Sequence, residues 1–252
     1  MPAAAPTPYK NFARRKRYDQ AVLADNPTHY WKLNEKSGTL CADVRGTQNA
    51  TYLNVTFDQP NQIADKDGAA VKFSTVAVEG QAGTGVAYGT PVFPFTMEAW
   101  VSIPAGANDN TQSSPRIFDT HGHTADYYGV ALNYGGGGRV VSVSYGDGAG
   151  FGSGNRKTYA TTSQVPVDIP THIVAVCTDF NTVDIYFNGI LQGQTISGTA
   201  VSISYASGVV MIGRNREAGM SCEFDVSNIA TYDGIGLTVA QILNHYNVGK
   251  LT

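Results

Sequence analysis

The chain has 252 residues, of which 42% are hydrophobic and only 15% are charged, and its formal net charge is −3. This length suits one large domain with an extension, or two small domains. A helical enzyme of this size would carry more Leu, Glu and Lys, whereas 28 glycines and 14 tyrosines suit a β-sandwich with many turns. No apolar run approaches the roughly 18 residues needed to cross a bilayer, so we expect no membrane insertion.

Positive charge is concentrated at the N-terminus. The charged side chains of the first 17 residues are all basic, and the remaining residues carry 12 basic and 20 acidic side chains. The five basic residues are Lys10, Arg14, Arg15, Lys16 and Arg17. Three prolines among the first eight residues favour an extended arm over residues 1–25, with a short helix at 19–24, before one domain over residues 26–252.

This basic arm has three interpretations. It is a solvated tail, a segment that docks on an acidic partner in an assembly, or a nuclear-import or nucleic-acid element. We favour docking and expect no specific nucleic acid. No apolar segment follows the basic residues, so we expect no secretion signal. The widely spaced Cys41, Cys177 and Cys222 are expected to be reduced and mostly buried.

Short apolar or alternating segments separated by Gly- and Asn-rich turns predict about ten to twelve strands in two packed antiparallel sheets. In Thr96–Val101, alternation places Met97, Ala99 and Val101 on one face and Thr96, Glu98 and Trp100 on the other. The predicted strands are His29–Leu33, Ala70–Phe73, Phe95–Ile103, Arg116–Phe118, Tyr127–Asn133, Arg139–Tyr145, Thr171–Cys177, Val183–Phe187, Ile190–Ile196, Val209–Gly213 and Cys222–Tyr232.

Two local signals are specific. Asn188-Gly189 supplies the two positive-φ residues of a type I′ hairpin turn. Thr238 and Gln241 form a capping box that begins a C-terminal helix, with Gly249 at a positive-φ stop. We expect Ile242, Leu243 and Tyr246 to face the sandwich.

Several segments, in order along about 220 residues, resemble the concanavalin A-like, laminin-G-type jelly-roll family. They are Tyr30-Trp-Lys-Leu-Asn-Glu35, Asn49-Ala-Thr-Tyr52, Ala70-Val-Lys-Phe73, Phe95-Thr-Met-Glu-Ala-Trp-Val101, Thr171-His-Ile-Val-Ala-Val176, Val183-Asp-Ile-Tyr-Phe-Asn-Gly189, Met211-Ile-Gly-Arg214 and the segment Leu237 to Gly249. The resemblance implies a sandwich of curved sheets that binds sugars or proteins, sometimes through calcium. Tyr18 to Asp25 is similar to the start of such domains in bacteriophage structural proteins.

Some members of this family are glycosidases, which need two carboxylates flanking one bond. Glu223-Phe-Asp225 supplies half of the family's glucanase motif, but Ser227 and Asn228 stand where the second Glu belongs. No Gly-x-Ser-x-Gly nucleophile motif is present either. We therefore expect a non-enzymatic protein.

Candidate binding residues cluster in loops. Asp119, His121, His123 and Asp126 are either ligands for a metal such as zinc or a solvated loop. We interpret the nearby Gly-rich segments as flexible hairpin tips. Their aromatic neighbours either form a sugar- or protein-binding surface or pack within the sheets. These neighbours are Tyr127, Tyr128, Tyr134, Tyr145 and Phe151.

We expect no cofactor, with calcium left open. The family resemblance would place it at Asp43 or Asp225, although Val226 departs from the family's Asp-Glu pattern.

The sequence thus predicts a bacteriophage virion protein of the accessory capsid or decoration type, made in the host cytoplasm. Its arm would dock on the major capsid or tail proteins, and its jelly roll would face outward for subunit contacts or host-surface glycans. We expect a homo-oligomer or an assembly-bound protein. The alternative is a carbohydrate-binding adhesin or tail receptor-binding protein, for which the arm would be dispensable.

Overall fold

Two antiparallel sheets pack face to face in the computed structural model, which confirms the predicted all-β sandwich. The structure describes residues 18–65, 68–73, 81–89, 91–105, 107, 116–120, 128–134, 138–150, 152–204, 209–214 and 223–251. The elements in chain order are α1 (Tyr18–Ala24), β1 (His29–Trp31), β2 (Leu40–Cys41), β3 (Ala50–Leu53), β4 (Thr56–Gln59), β5 (Ala70–Phe73), β6 (Gln81–Ala87), β7 (Phe95–Ser102), β8 (Arg116–Asp119), β9 (Tyr128–Tyr134), β10 (Val140–Asp147), β11 (Arg156–Gln164), β12 (Thr171–Asp179), β13 (Thr182–Phe187), β14 (Ile190–Leu191), β15 (Gln194–Gly198), β16 (Val209–Ile212), β17 (Phe224–Asp233) and α2 (Val239–Gly249).

One sheet has eight strands in the order β14-β13-β12-β7-β17-β5-β4, and β1 also pairs with β17. The other has nine strands in the order β15-β11-β10-β9-β8-β16-β6-β3-β2. The main apolar core lies between the two sheets, and a second apolar cluster joins α1 and α2 to the outer face of the eight-stranded sheet. Cys41 and Cys177 are free thiols in the core, as expected, whereas Cys222 lies outside the described residues.

The alternation predicted for β7 is confirmed. Met97, Ala99 and Val101 pack in the core between the sheets, whereas Trp100 packs in the cluster beneath the helices. The neighbouring strand β12 is buried on both faces from Thr171 to Cys177. The predicted turn is also confirmed, because Asn188 and Gly189 have φ values of 53° and 81°.

The strand predicted over residues 190–196 is wrong as one element. The chain forms β14 at the edge of the eight-stranded sheet and β15 at the edge of the nine-stranded sheet. The segment therefore crosses between the two sheets, and Ile190 and Ile196 are 68% and 59% exposed. Five strands were not predicted. Strands β2, β3 and β4 have only two to four residues each, and the Gly- and Thr-rich sequences of β6 and β11 have weak apolar alternation.

Helix α2 has the predicted capping box, in which the Thr238 side chain accepts a hydrogen bond from the N–H of Gln241. Two details differ from prediction. Leu243 is 44% exposed, and His245 takes the buried position on the inner face. Gly249 is not among the residues with positive φ. Its lack of a side chain matters instead, because a Cβ would lie 2.7 Å from Tyr18 and 2.8 Å from Trp100.

A buried carboxylate ties both helices to the sheet. Oε2 of Glu98, on β7, lies 3.1 Å from Nε2 of His172 and 3.0 Å from Nδ1 of His245. The Tyr232 hydroxyl donates to the other oxygen at 2.5 Å. From α1, the Tyr18 hydroxyl lies 3.3 Å from His172 Nε2. We call these residues the Glu98 cluster.

Ionisation in the Glu98 cluster follows from its geometry. Burial would raise the pKa of Glu98, but the two histidines outweigh burial and hold this pKa well below its usual range. Burial lowers the pKa of His172. Burial opposes protonation of His245 too, but Glu98 and Asp25, whose carboxylate oxygen lies 2.9 Å from His245 Nε2, raise its pKa to about 9. At neutral pH, His245 is therefore the cation that balances the Glu98 carboxylate.

The His245 pKa predicts how stability depends on pH. Because the pKa in the folded protein, about 9, exceeds the ordinary value of 6.5, the stabilisation is full below pH 6.5 and is lost as the pH rises through 9. We expect the free energy of unfolding to fall by about 2 kcal/mol between about pH 6 and pH 8. Urea titrations over this range measure the change, and the range ends below the ordinary thiol pKa of about 8.5, so few cysteines ionise in the unfolded chain. His245→Gln should be less stable and lack this pH dependence; an equal slope in both proteins would contradict the assignment.

Candidate functional site

The two outer faces of the sandwich differ. Both helices in the described part of the chain pack on the eight-stranded sheet, and neither covers the nine-stranded sheet. In β9 and β10, Val130, Leu132, Val141 and Val143 point into the core. Alternation therefore turns the residues between them to the outer face.

A row of polar side chains crosses this outer face on four adjacent strands, β8 to β11. We call it the polar row; it consists of Arg116, Asp119, Asn133, Ser142, Ser144 and Thr158. Arg116 Nε lies 3.4 Å from Asp119 Oδ2, and Arg116 Nη1 donates to Asn133 Oδ1.

The row continues from Asn133 into β10 and β11. Asn133 Nδ2 donates to the hydroxyls of Ser142 and Ser144 at 3.3 and 3.4 Å. The Ser144 hydroxyl lies 3.0 Å from the Thr158 hydroxyl. The side chains thus hold one another in fixed orientations across four strands.

Accessibility varies along the polar row. Arg116, Asp119, Asn133 and Ser144 are buried, whereas Ser142 and Thr158 are half-buried. Beyond Thr158, exposed Ser197 on β15 is its register partner, and exposed Thr195 follows on the same face. The accessible end of the row therefore bears hydroxyl groups, from Ser142 and Thr158 to Ser197 and Thr195, and its other end is buried and ionic. Such a surface can exchange hydrogen bonds with a ligand rich in hydroxyl groups.

Of the predicted loop residues, the structure describes the side chains of Asp119 and Tyr145. Asp119 belongs to the polar row. Tyr145 was predicted to lie on a loop surface, and this prediction is wrong. It is 1% exposed in the core, and its hydroxyl donates to the carbonyl of Phe180. The predicted His121, His123, Asp126, Tyr127 and Phe151, and the side chains of Tyr128 and Tyr134, lie outside the described residues. So do the predicted docking residues Lys10, Arg14, Arg15, Lys16 and Arg17.

Asp43, proposed as a calcium ligand, is a buried hydrogen-bond acceptor. Its Oδ1 accepts the N–H groups of Tyr30 and Arg45 at 2.9 Å each. Its Oδ2 accepts from Gln48 N–H at 3.0 Å and lies 2.9 Å from His29 Nδ1. Burial would raise the pKa of Asp43, but these hydrogen bonds outweigh burial and lower it to about 2. A calcium ion there would have to displace these hydrogen bonds.

Asp225 and Glu223 lie at the opposite surface from the polar row. Phe224 and Val226 point into the core, so Asp225 turns to the outer face of the eight-stranded sheet. Glu223 forms an ion pair with Lys72 at 3.1 Å. Burial raises the pKa of Asp225, and Lys72 partly offsets this effect. In the described part of the chain, no three His, Cys, Asp or Glu side chains are grouped so that they could hold a metal ion.

Sequence reasoning missed most of the polar row. Arg116 and Asn133 fell within predicted strands but were not considered as a site. The signal was available in Val140 to Tyr145, where Ser142 and Ser144 alternate with valines. That pattern indicates a strand with one polar face, but it does not tell which strands lie beside it.

Comparisons with known proteins support the fold. The laminin G family model, described as the concanavalin A-like lectin/glucanases superfamily, matches residues 82–242. No curated protein sequence matches the chain. Trypanosoma rangeli sialidase is similar in structure, with a TM-score of 0.53 and 18% identity, over 86% of this chain and 32% of that one. This chain thus spans about a third of the sialidase.

Domain 4 of AbnA, an extracellular arabinanase from Geobacillus stearothermophilus, was solved with arabinotriose. It is similar with a TM-score of 0.58 and 14% identity, over 87% of this chain and 98% of that domain. At these identities the likeness is one of fold. None of the helices described in this chain has the length and apolar character of a membrane span.

The polar row should be needed for stability at its buried end. Asn133→Ala would leave the Arg116 guanidinium without its amide partner, and we expect a loss of roughly 1–3 kcal/mol. The matched control is Thr195→Ala, an exposed position on the same face, which should change stability by less than about 0.5 kcal/mol. Urea unfolding of both variants measures the difference. Equal stabilities would mean that the network contributes nothing.

Proposed function

Because the chain belongs to the concanavalin A-like lectin/glucanases superfamily, we propose that it is a non-enzymatic protein that binds glycans with the outer face of its nine-stranded sheet. The polar row carries this proposal. Sugars present many hydroxyl groups in fixed geometry, and a row of mutually oriented hydroxyl groups can donate to and accept from them. Pre-oriented side chains also lose little conformational freedom on binding.

The distribution of carboxylates supports a binding role over hydrolysis. A glycosidase needs two carboxylates on either side of one bond. The polar row contains a single carboxylate, Asp119, which is buried and pairs with Arg116. Ser227 and Asn228, in place of the second Glu of the glucanase motif, are buried, and Asn228 accepts the Tyr30 hydroxyl at 2.6 Å.

We further propose that the N-terminal arm docks the protein on a bacteriophage particle, as an accessory capsid or decoration protein made in the host cytoplasm. The anchoring of α1 favours this role. Tyr18, the residue after Arg17, is fully buried, and its N–H donates to Asp65 Oδ2 at 3.1 Å. The four basic residues at 14–17 are therefore joined directly to a rigid part of the sandwich, which would fix the orientation of a docked domain.

Glycan binding is tested on a glycan array with the complete chain and two variants. Thr158→Gln places a longer side chain on the outer face and should weaken binding at least about tenfold. Thr178→Gln, an exposed position at the end of β12, should leave binding unchanged. Bound glycans should be recovered uncleaved. Absence of any glycan ligand, or equal binding by both variants, would refute the assignment of this face.

Docking is tested by reversing the charge of Arg14, Arg15, Lys16 and Arg17 to Glu. Mass spectrometry of purified particles should find the wild-type chain and not the variant, since an acidic partner surface would repel it. Glycan binding by the free variant should not change. If the variant is incorporated at the wild-type level, the docking proposal is wrong, and the protein is better described as a free-standing adhesin.

A further inference from the structure

A concave site lies on the other side of the sandwich, beside the C-terminal end of α2. It has a volume of about 180 Å³. Its walls come from the sheet, the connection before β12, the β13–β14 turn and the end of the chain. The lining residues are Gln62, Trp100, Ile169, Pro170, Asn188, Tyr246, Lys250 and Leu251. Trp100 belongs to the outer face of the eight-stranded sheet, so this pocket is separate from the polar row.

Among the described residues, the pocket carries one charge. Lys250 is the single ionisable lining residue in that part of the chain besides Tyr246, and none of the described lining residues is a carboxylate. The Lys250 ammonium lies 5.4 Å from the centroid of the Tyr246 ring, and no ion pair involves Lys250 among the described residues. In a chain with a net charge of −3, an unpaired cation in a pocket favours an anionic ligand.

A lining residue of the pocket, Gln62, also carries a buried donor that has no partner. Tyr30 donates to Asn228 Oδ1, and Asn228 Nδ2 donates to the Ser227 hydroxyl at 3.0 Å. The Ser227 hydroxyl must then donate onward, and it does so to Gln62 Oε1 at 3.0 Å. This relay fixes the orientation of the Gln62 amide and leaves its Nε2 without a hydrogen bond, although Gln62 is 1% exposed. A buried unpartnered donor is costly, and an acceptor on a ligand would satisfy it.

Apart from Asn188, the remaining walls are apolar and aromatic. The rings of Trp100 and Tyr246 are nearly parallel, with an interplanar angle of 21° and centroids 6.1 Å apart. Ile169 and Leu251 are about half exposed. The volume is below the roughly 300 Å³ at which pockets for drug-sized ligands begin, so one ring would fill it.

We propose that this pocket binds a small carboxylate with an apolar face, held by the Lys250 ammonium and the Gln62 amide and packed against Tyr246. This is a second binding activity, independent of glycan recognition at the polar row. With about nine non-hydrogen atoms, such a ligand should bind with a Kd on the order of 1 mM.

The two tryptophans provide the measurement. The chain contains only Trp31 and Trp100, so a ¹H–¹⁵N spectrum of the complete protein has two indole signals, assigned with Trp31→Phe. Trp31 lies in the core, and its Nε1 donates to the Gln48 carbonyl at 2.7 Å, so its signal is an internal control. The probes are benzoate, D-glucuronate and, as a neutral counterpart, benzyl alcohol. Benzoate or glucuronate should shift the Trp100 signal and leave the Trp31 signal in place.

Variants decide whether the carboxylate is what the pocket recognises. Lys250→Met should weaken binding of the acid about tenfold. Lys36→Met, an exposed lysine elsewhere, should not. Thr158→Gln, which tests the glycan face, should leave the Trp100 shift intact, so the two proposals can fail separately. If glucuronate binds and benzoate does not, the ligand is a sugar acid. If both acids bind, the pocket accepts other carboxylates as well.

Four results would overturn the proposal. They are no Trp100 shift with either acid at tens of millimolar, a shift of Trp31 in its place, equal binding of benzyl alcohol, and unchanged binding by Lys250→Met.

Discussion

The buried carboxylate of Glu98 is the interaction on which the arrangement of this sandwich depends. A charge in an apolar interior is costly unless it is paired and hydrogen-bonded. Glu98 meets that requirement with groups from β12, β17 and α2. The Tyr18 hydroxyl extends the network into α1. Removing one partner would leave the others unsatisfied, so sheet and helices are stabilised together.

The two outer faces of the sandwich differ, because the Glu98 cluster holds both helices on only one of them. Helices α1 and α2 cover part of the outer face of the eight-stranded sheet, and the small pocket lies beside α2. The outer face of the nine-stranded sheet keeps its polar row, with small hydroxyl-bearing side chains at the accessible end. The Glu98 cluster also holds Tyr18, the residue that follows the basic segment. The polar row and the start of α1 thus belong to one packed domain.

Local features of this structure could be predicted from the sequence, and features that depend on neighbouring strands could not. The Asn188-Gly189 turn, the Thr238 capping box and the alternation in β7 each arise within a few residues, and each is confirmed. The polar row joins Arg116 to Thr158 through strands whose order only the folded sheet fixes. Gly249 was assigned a positive φ, yet its requirement is the close approach of Tyr18 and Trp100, which are distant in sequence.

We propose the outer face of the nine-stranded sheet as the glycan-binding surface. Hydrogen–deuterium exchange of the complete chain, with and without a glycan selected on the array, shows which strands the ligand protects. We predict slower exchange in β9, β10, β11 and β15, where the polar row and its accessible end lie, and no change in β7 or β17. Protection confined to the eight-stranded sheet, or none anywhere at saturating glycan, would contradict the claim.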